Sequence, residues 1–111
     1  MKGNNVEYHH IDEQQNSAVQ ELFQALLLIK TPEEMHKFFK DLCTPQEIQA
    51  FAERWKVCKL LAEGSLSYRE INDQTGVSLA TIGRVARFLH TEPHRGYQLV
   101  LNRIKKNKVE K

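Results

Sequence analysis

Apolar residues recur along this chain at the three- and four-residue spacing of amphipathic helices, and no segment alternates as a strand would. From Ser17, such a run predicts a first helix that ends near Lys30; its apolar members are Val19, Leu22, Phe23, Leu26, Leu27 and Ile29. The same spacing recurs in later segments. The pattern therefore predicts an all-α fold with about six helices.

Capping signals divide this pattern into separate helices. Thr31-Pro32 and Thr44-Pro45 each place a hydroxyl before a first-turn proline, which predicts the starts of the second and third helices. The third helix is the longest and is expected to end at Gly64, because glycine is the usual residue after a helix. A last helix is predicted to begin near Pro93.

Two short helices joined by a glycine turn are predicted between the third and the last helix. Ser67 and Glu70 have the spacing of a capping box, and the helix that they open should end near Gln74. Gly76 provides the left-handed backbone of a tight turn, and Ser78 can cap the following helix. This is the pattern of a helix-turn-helix, the motif that places its second helix in the major groove of DNA.

The second helix of this motif has one apolar face and one face of small residues and arginines. A shared seam is predicted to fix the angle of the two helices; it consists of Ile71, Val77, Ile82 and Val85. Ala86 and Leu89 also face inward. The outward face is predicted to contact bases and phosphates, and consists of Leu79, Ala80, Gly83, Arg84 and Arg87. The alternative is an ordinary helical hairpin whose arginines are only solvated.

Charge is divided unevenly along the 111 residues. Residues 1–53 contain four Lys/Arg against nine Asp/Glu, a net charge of −5, whereas residues 54–111 contain twelve against five, a net charge of +7. A basic half that contains the helix-turn-helix favours attraction to phosphate. The predicted organisation is a mobile arm over residues 1–14, one DNA-binding and dimerisation domain over residues 15–106, and a frayed basic tail over residues 107–111.

Several helices are apolar over more than one narrow stripe. Residues 26–29 and 99–101 are apolar on consecutive positions, which one small monomer could hardly cover on every side. A homodimer with interlocked helices would bury them and would present two recognition helices to a palindromic site. The alternative is a monomer with a thick core.

Neither an enzyme nor a metal protein is predicted. Cys43 and Cys58 lie singly in apolar helical patterns, and no nucleophile with a neighbouring base can be identified. The five histidines show no metal-ligand spacing: His9, His10, His36, His90 and His94. No cofactor is expected. The sequence also predicts no signal peptide and no membrane span, hence a cytoplasmic protein without a membrane partner.

From Ser17 to Ile104 the chain resembles the Trp repressor superfamily, and in particular its YerC/YecD-type branch. The segments that carry the resemblance are Asp41-Leu-Cys-Thr-Pro45-Gln-Glu47-Ile, Ala52-Glu-Arg54-Trp-Lys-Val57, Leu60-Leu-Ala-Glu-Gly64, Ser67-Tyr-Arg-Glu70 and Gly76-Val-Ser-Leu-Ala80-Thr-Ile-Gly-Arg84-Val. The resemblance implies an intertwined helical dimer that regulates transcription. Its DNA-contact positions match Arg69, Asn72, Leu79, Ala80, Thr81 and Gly83.

With the residues inferred from the motif itself, the predicted DNA-binding set comprises Ser67, Arg69, Asn72, Leu79, Ala80, Thr81, Gly83, Arg84 and Arg87. Asn72 stands where the tryptophan-responsive members carry a basic residue, so the same operator is not expected. The alternative function is a helical dimeric protein-interaction module that does not bind specific DNA.

The resemblance also implies a ligand pocket. In the tryptophan-responsive members two arginines sandwich the indole, and these match Arg54 and Arg84, while Thr44 matches another ligand contact. Small residues of that pocket are replaced by Val85 and Phe88, whose bulk predicts that tryptophan is not the corepressor. A buried aromatic in its place could hold the recognition helices without any ligand. Equally, Arg54 and Arg84 could simply pair with phosphate or carboxylate groups.

Overall fold

The computed structural model describes residues 16–110, with side chains described through residue 108. Six helices account for the regular structure in this range, and no strand occurs in it: α1 Ser17–Leu27, α2 Pro32–Leu42, α3 Pro45–Glu63, α4 Tyr68–Thr75, α5 Leu79–His90 and α6 Gly96–Glu110. The predicted all-α fold with about six helices is confirmed. The predicted arm over residues 1–14 and the terminal Lys111 lie outside the described range.

Two predicted helix boundaries were wrong by about one turn. Helix α1 ends at Leu27, with Leu28 as its C-cap, and does not reach Lys30. Helix α6 begins at Gly96 and not near Pro93, because Arg95 has a φ of 61° and therefore interrupts helical backbone before that point. At its other end α6 continues through Glu110, so residues 107–110 are helical.

The described residues form two compact units, one that ends at Thr44 and one that begins at Pro45. The first contains α1 and α2. Asn16 caps α1 by accepting hydrogen bonds from the N–H groups of Ala18 and Val19, and Thr31 caps α2. Neither helix has a buried residue, and the side chain of Leu27 is 83% exposed.

The second unit contains the hydrophobic core. Its buried side chains, all at most 5% exposed, come from helices α3, α4 and α5 and from the turn between α4 and α5: Val57, Cys58, Ile71, Val77, Ile82, Val85 and Leu89. Helix α6 packs on this core through Tyr97 and Leu101, and the rings of Trp55 and Tyr97 are 6.3 Å apart. The predicted seam of the two motif helices is confirmed, since all four of its members are buried.

The two cysteines differ in environment. Cys58 is fully buried in this core, and its burial raises the pKa of the thiol to about 11. Cys43, at the end of α2, is only half-buried. Between residues 16 and 110, no helix has the length and apolar character needed to cross a membrane.

Candidate nucleic-acid interface

The start of α4 is fixed by reciprocal hydrogen bonds. The Glu70 backbone N–H donates to the Ser67 hydroxyl oxygen at 3.1 Å, and the Ser67 N–H donates to Glu70 Oε1 at 2.8 Å. The predicted capping box is therefore present. At the other end Gly76 has a φ of 76°, where a side chain would be strained, and its N–H donates to the Asn72 carbonyl at 2.8 Å.

Side chains of α4 also hold the turn. Asn72 Nδ2 donates to the Val77 carbonyl at 2.8 Å, which joins α4 to the residue just before the α5 cap. The Thr75 hydroxyl donates to the Ile71 carbonyl at 2.7 Å and accepts from the Val77 N–H at 3.1 Å. The sequence suggested Asn72 only as a DNA contact. The structure shows that its amide group also positions the turn, a role that spacing alone could not reveal.

Helix α5 has the two faces that its sequence predicts. Ser78 caps it by accepting the Thr81 N–H at 3.1 Å, and the Ser78 hydroxyl donates to Thr81 Oγ1 at 3.0 Å. Its inward face is buried: Ile82, Val85, Ala86 and Leu89. On the other side Leu79 is 46% exposed and Ala80 is also exposed, so a small apolar surface is open at the helix start.

The predicted DNA-binding residues all lie on α4, on α5 or at the Ser67 cap. Six are exposed: Ser67, Arg69, Leu79, Ala80, Arg84 and Arg87. Three are half-buried: Asn72, Thr81 and Gly83. A side chain added at Gly83 would meet no atom within 4 Å, so this part of α5 offers room for close approach.

Two arginines of α5 share one aromatic ring. The Arg84 and Arg87 guanidinium carbons lie 4.4 Å and 5.1 Å from the centre of the Phe88 ring. Phe88 also stacks on His94, with ring centres 5.8 Å apart. Arg87 Nε lies 3.3 Å from a carboxylate oxygen of Glu92. The four-residue spacing of Arg84 and Phe88 could have indicated the first contact, but nothing in the sequence pointed to Glu92 or His94.

A cavity of about 300 Å³ lies beside α5. Its walls come from α3, α5, the turn before α6 and the first residues of α6: Arg54, Arg84, Val85, Phe88, His94, Arg95, Gly96 and Tyr97. It brings together Arg54 and Arg84, both predicted as ligand contacts. Thr44, the third predicted contact, directly precedes α3 and belongs to the N-terminal unit.

The pKa of Tyr97 responds to its burial and to charged groups near the cavity. Burial raises the pKa of its phenol, with a further increase from Cys58, while Arg54 and Arg84 act in the opposite direction. Tyr97 is thus within the electrostatic reach of both arginines. Between residues 16 and 110, no cluster of three or more His, Cys, Asp or Glu side chains is suited to hold a metal ion.

Comparisons with known proteins agree with this arrangement. The family model for the Trp repressor protein matches residues 17–105. The chain belongs to the Trp repressor family. It is 40% identical to an uncharacterized protein, YerC of Bacillus subtilis, over 90% of this chain and 94% of that one. It is 34% identical to a Trp operon repressor homolog of Aliivibrio salmonicida over 67% of this chain and 73% of that one.

A solved structure extends the agreement to the fold. A TrpR-like protein of Eubacterium eligens, 39% identical in sequence, superposes with a TM-score of 0.78 over 85% of this chain and 95% of that one. The predicted resemblance is therefore confirmed. Membership of the Trp repressor family supports a helix-turn-helix DNA-binding regulator in general terms, and the family is one of regulators and not of enzymes.

Proposed function

We propose that this protein is a transcriptional repressor that binds a palindromic operator as a homodimer, with α5 as the recognition helix. The observation that carries the proposal is the exposed face of α5, which is small and partly basic and stands on a fully buried seam. A rigid helix with short side chains can approach base edges closely in the major groove. A protein with this function acts where the DNA is, so we expect it in the cytoplasm.

Each predicted contact has a chemical role in this proposal. Ala80 offers an apolar contact to thymine methyl groups, and the Thr81 hydroxyl can bond a base or a phosphate. Arg84 and Arg87 can pair with guanine or phosphate, and Arg69 on α4 with phosphate. The Phe88 ring supports the two α5 arginines, which lowers the entropy lost when they engage DNA.

The homodimer is supported by apolar surface that the single chain leaves open. Helix α1 has no buried residue although it is rich in leucine, with Leu27 83% and Phe23 50% exposed. On α6, Leu99, Val100 and Ile104 are exposed as well. A second copy would cover these faces, and two-fold symmetry would place two recognition helices about one DNA turn, roughly 34–36 Å, apart.

The same apolar faces favour one rival function, a dimeric module that binds another protein. Salt dependence separates the two functions. Phosphate contacts release counterions, so DNA affinity should fall steeply with salt, whereas apolar docking should change little. Replacing Arg69, Arg84 or Arg87 with Ala should lower the salt slope by about one unit for each lost phosphate contact.

Tryptophan is not the expected corepressor. Val85 is 1% exposed, and Phe88 forms cavity wall in contact with Arg84, so both bring bulk to the site. An indole between Arg54 and Arg84 would have to displace the Phe88 ring from its contact with Arg84, and such overpacking costs on the order of 1–3 kcal/mol. Calorimetric titration with tryptophan should therefore show no saturable heat, and operator affinity should not change. A several-fold increase in affinity with tryptophan would refute this part of the proposal.

The direct test is Ala80→Glu, which places a carboxylate against base edges and phosphates. Ala18→Glu is the matched control, because Ala18 is also exposed but lies on α1. We expect Ala80→Glu to abolish binding to a selected DNA fragment in fluorescence anisotropy while helical circular dichroism is unchanged. Ala18→Glu should bind like the wild type. Equal affinity of both variants would show that α5 does not contact DNA.

A further inference from the structure

The turn after α5 brings a carboxylate to one exposed arginine of that helix. Arg87 Nε lies 3.3 Å from Glu92 Oε2, and the Glu92 backbone N–H donates to the Arg87 carbonyl at 3.0 Å. Glu92 is therefore joined to the last turn of α5 by its main chain as well as by its side chain. His94 Nε2 lies 3.9 Å from the other carboxylate oxygen of Glu92.

The Arg87 side chain is held on two sides and remains accessible. Its guanidinium carbon lies 5.1 Å from the centre of the Phe88 ring, and the Glu92 carboxylate approaches its Nε. The side chain is nevertheless 56% exposed. Nε is the guanidinium nitrogen nearest the helix. An ion pair made there leaves the two Nη groups, whose fork matches the O6 and N7 acceptors of guanine.

Arg84 offers a comparison within the same helix. It is also exposed, and its guanidinium carbon lies 4.4 Å from the centre of the same Phe88 ring. The ion pairs described in the second unit join Glu92 to Arg87 and to His94, and Arg84 takes part in neither. The two arginines therefore share an aromatic support and differ in their carboxylate. Glu92 partly neutralises the charge that Arg87 presents to DNA.

This difference has unequal effects on the two kinds of DNA binding. Nonspecific affinity comes from cations that displace the counterions of phosphate groups, and an arginine already paired with a carboxylate gains less from such a contact. A base contact depends instead on a guanidinium in a fixed position with free Nη donors. An ion pair as exposed as this one adds little to the stability of the fold, so we expect its main effect on DNA binding.

We propose that Glu92 is a specificity-determining residue of the DNA-binding surface, which positions Arg87 for a base edge and withholds it from phosphate. The inference rests on the proposed function, in which the exposed face of α5 enters the major groove. Arg87 lies four residues after Gly83 and eight after Leu79, so the three residues share that face. Glu92 acts through the arginine and does not itself contact DNA.

Fluorescence anisotropy of the full chain tests the proposal with two duplexes of equal length, one selected by the wild type and one of random sequence. Glu92→Gln removes the charge and keeps the shape. We expect it to tighten binding to the random duplex by up to roughly eightfold at about 0.1 M salt and to steepen the salt slope by about 0.9, as one gained phosphate contact predicts. Affinity for the selected duplex should not rise, because the base contact loses its support.

Two further variants control for charge and for the route of the effect. Glu63→Gln removes one negative charge from an exposed position of α3 and should bind both duplexes like the wild type. Arg87→Ala should weaken binding to the selected duplex by roughly tenfold and change binding to the random duplex little. In the Arg87→Ala protein, adding Glu92→Gln should have no further effect.

Two results with these variants would overturn the inference. A gain in random-duplex affinity that persists without Arg87 would show that Glu92 simply repels phosphates. Equal gains in Glu92→Gln and Glu63→Gln would show that only the net charge matters.

A measurement without DNA tests the ion pair by itself. In nuclear magnetic resonance spectra, the Nε–H of Arg87 should exchange with water several-fold more slowly than that of Arg84, and Glu92→Gln should reduce this difference. Equal exchange in the wild type would overturn the inference.

Failure of the proposed function gives a different result. A wild type that binds both duplexes equally would overturn the function and the inference with it. If the wild type prefers the selected duplex and Glu92→Gln leaves that preference unchanged, only the inference fails.

Discussion

The helix-turn-helix buries its apolar seam, whereas the two N-terminal helices leave their apolar residues at least partly exposed. Between residues 67 and 90, the seam residues are at most 5% exposed, and side-chain hydrogen bonds close the turn. Helices α1 and α2 have clear caps but no buried residue. The comparison teaches that local signals can specify a helix without specifying what covers it. A motif that packs on itself can fold with its own unit, whereas the apolar face of α1 stays exposed within the described residues.

The largest expected effect is on the free energy of unfolding of the motif. Ile82→Ala removes a side chain that is fully buried, and we expect a loss of about 2–5 kcal/mol. Leu79→Ala is the control on the same helix, since Leu79 is 46% exposed and should cost below about 1 kcal/mol. Urea unfolding measures both. Similar losses for the two variants would contradict the described burial of α5.

The oligomeric state of variants tests the exposed apolar face of α1. Leu27→Glu places a charge on the open apolar face of α1, and Gln24→Glu adds the same charge at an exposed polar position of that helix. In sedimentation equilibrium at micromolar concentration we expect wild type and Gln24→Glu at twice 12.9 kDa, and Leu27→Glu shifted toward the monomer. A wild-type protein of 12.9 kDa would refute the homodimer.

Two glycines of the motif should respond in opposite directions to the same substitution. Gly76→Ala forces a side chain onto a φ of 76° and should cost about 1–2 kcal/mol. Gly83→Ala lies inside α5 with nothing within 4 Å of the added Cβ, and should stabilise by roughly 0.5–1 kcal/mol. Thermal unfolding compares them. A stabilising Gly76→Ala would show that the turn does not require left-handed backbone.

A smaller effect is expected from pH on Cys58. Its pKa in the folded protein, about 11, lies above the ordinary 9.0, because burial disfavours the thiolate. At pH values between these two the unfolded chain loses the thiol proton and the folded chain keeps it, so stability falls as pH rises through this window. As the pH is raised from about 9 to about 11, Cys58→Ala should lose less of its unfolding free energy than the wild type loses of its own. An equal loss in both proteins would contradict this prediction.

Much of the fold could be predicted because its signals are local. The capping box of Ser67 and Glu70, the left-handed Gly76 and the inward face of α5 follow from spacing and from backbone preference. The start of α6 could not be predicted, since nothing in the sequence indicates that Arg95 adopts a positive φ. A pattern that pointed to Pro93 was overridden by the geometry of the turn.

Part of the candidate site could also be predicted, because some of its residues follow from local sequence signals. The exposed residues of α5 follow from its periodicity, and the pairing of Arg54 with Arg84 followed from family resemblance. The spacing of Arg84 and Phe88 could have indicated their contact. Other contacts depend on packing and could not be foreseen, such as Arg87 on the Phe88 ring or the Asn72 amide bound to the Val77 carbonyl. These contacts join residues whose types are common and whose sequence spacing has no special meaning.

One measurement tests the central claim most directly, namely that α5 recognises specific DNA. Fragments of the organism's own genome are selected for binding to the wild-type protein and to Ala80→Glu, each with and without tryptophan. We expect the wild type to enrich a palindromic motif with half-sites about one helical turn apart, with or without tryptophan, and Ala80→Glu to enrich none. Equal enrichment by both proteins, or the absence of any motif with wild type, would contradict the account.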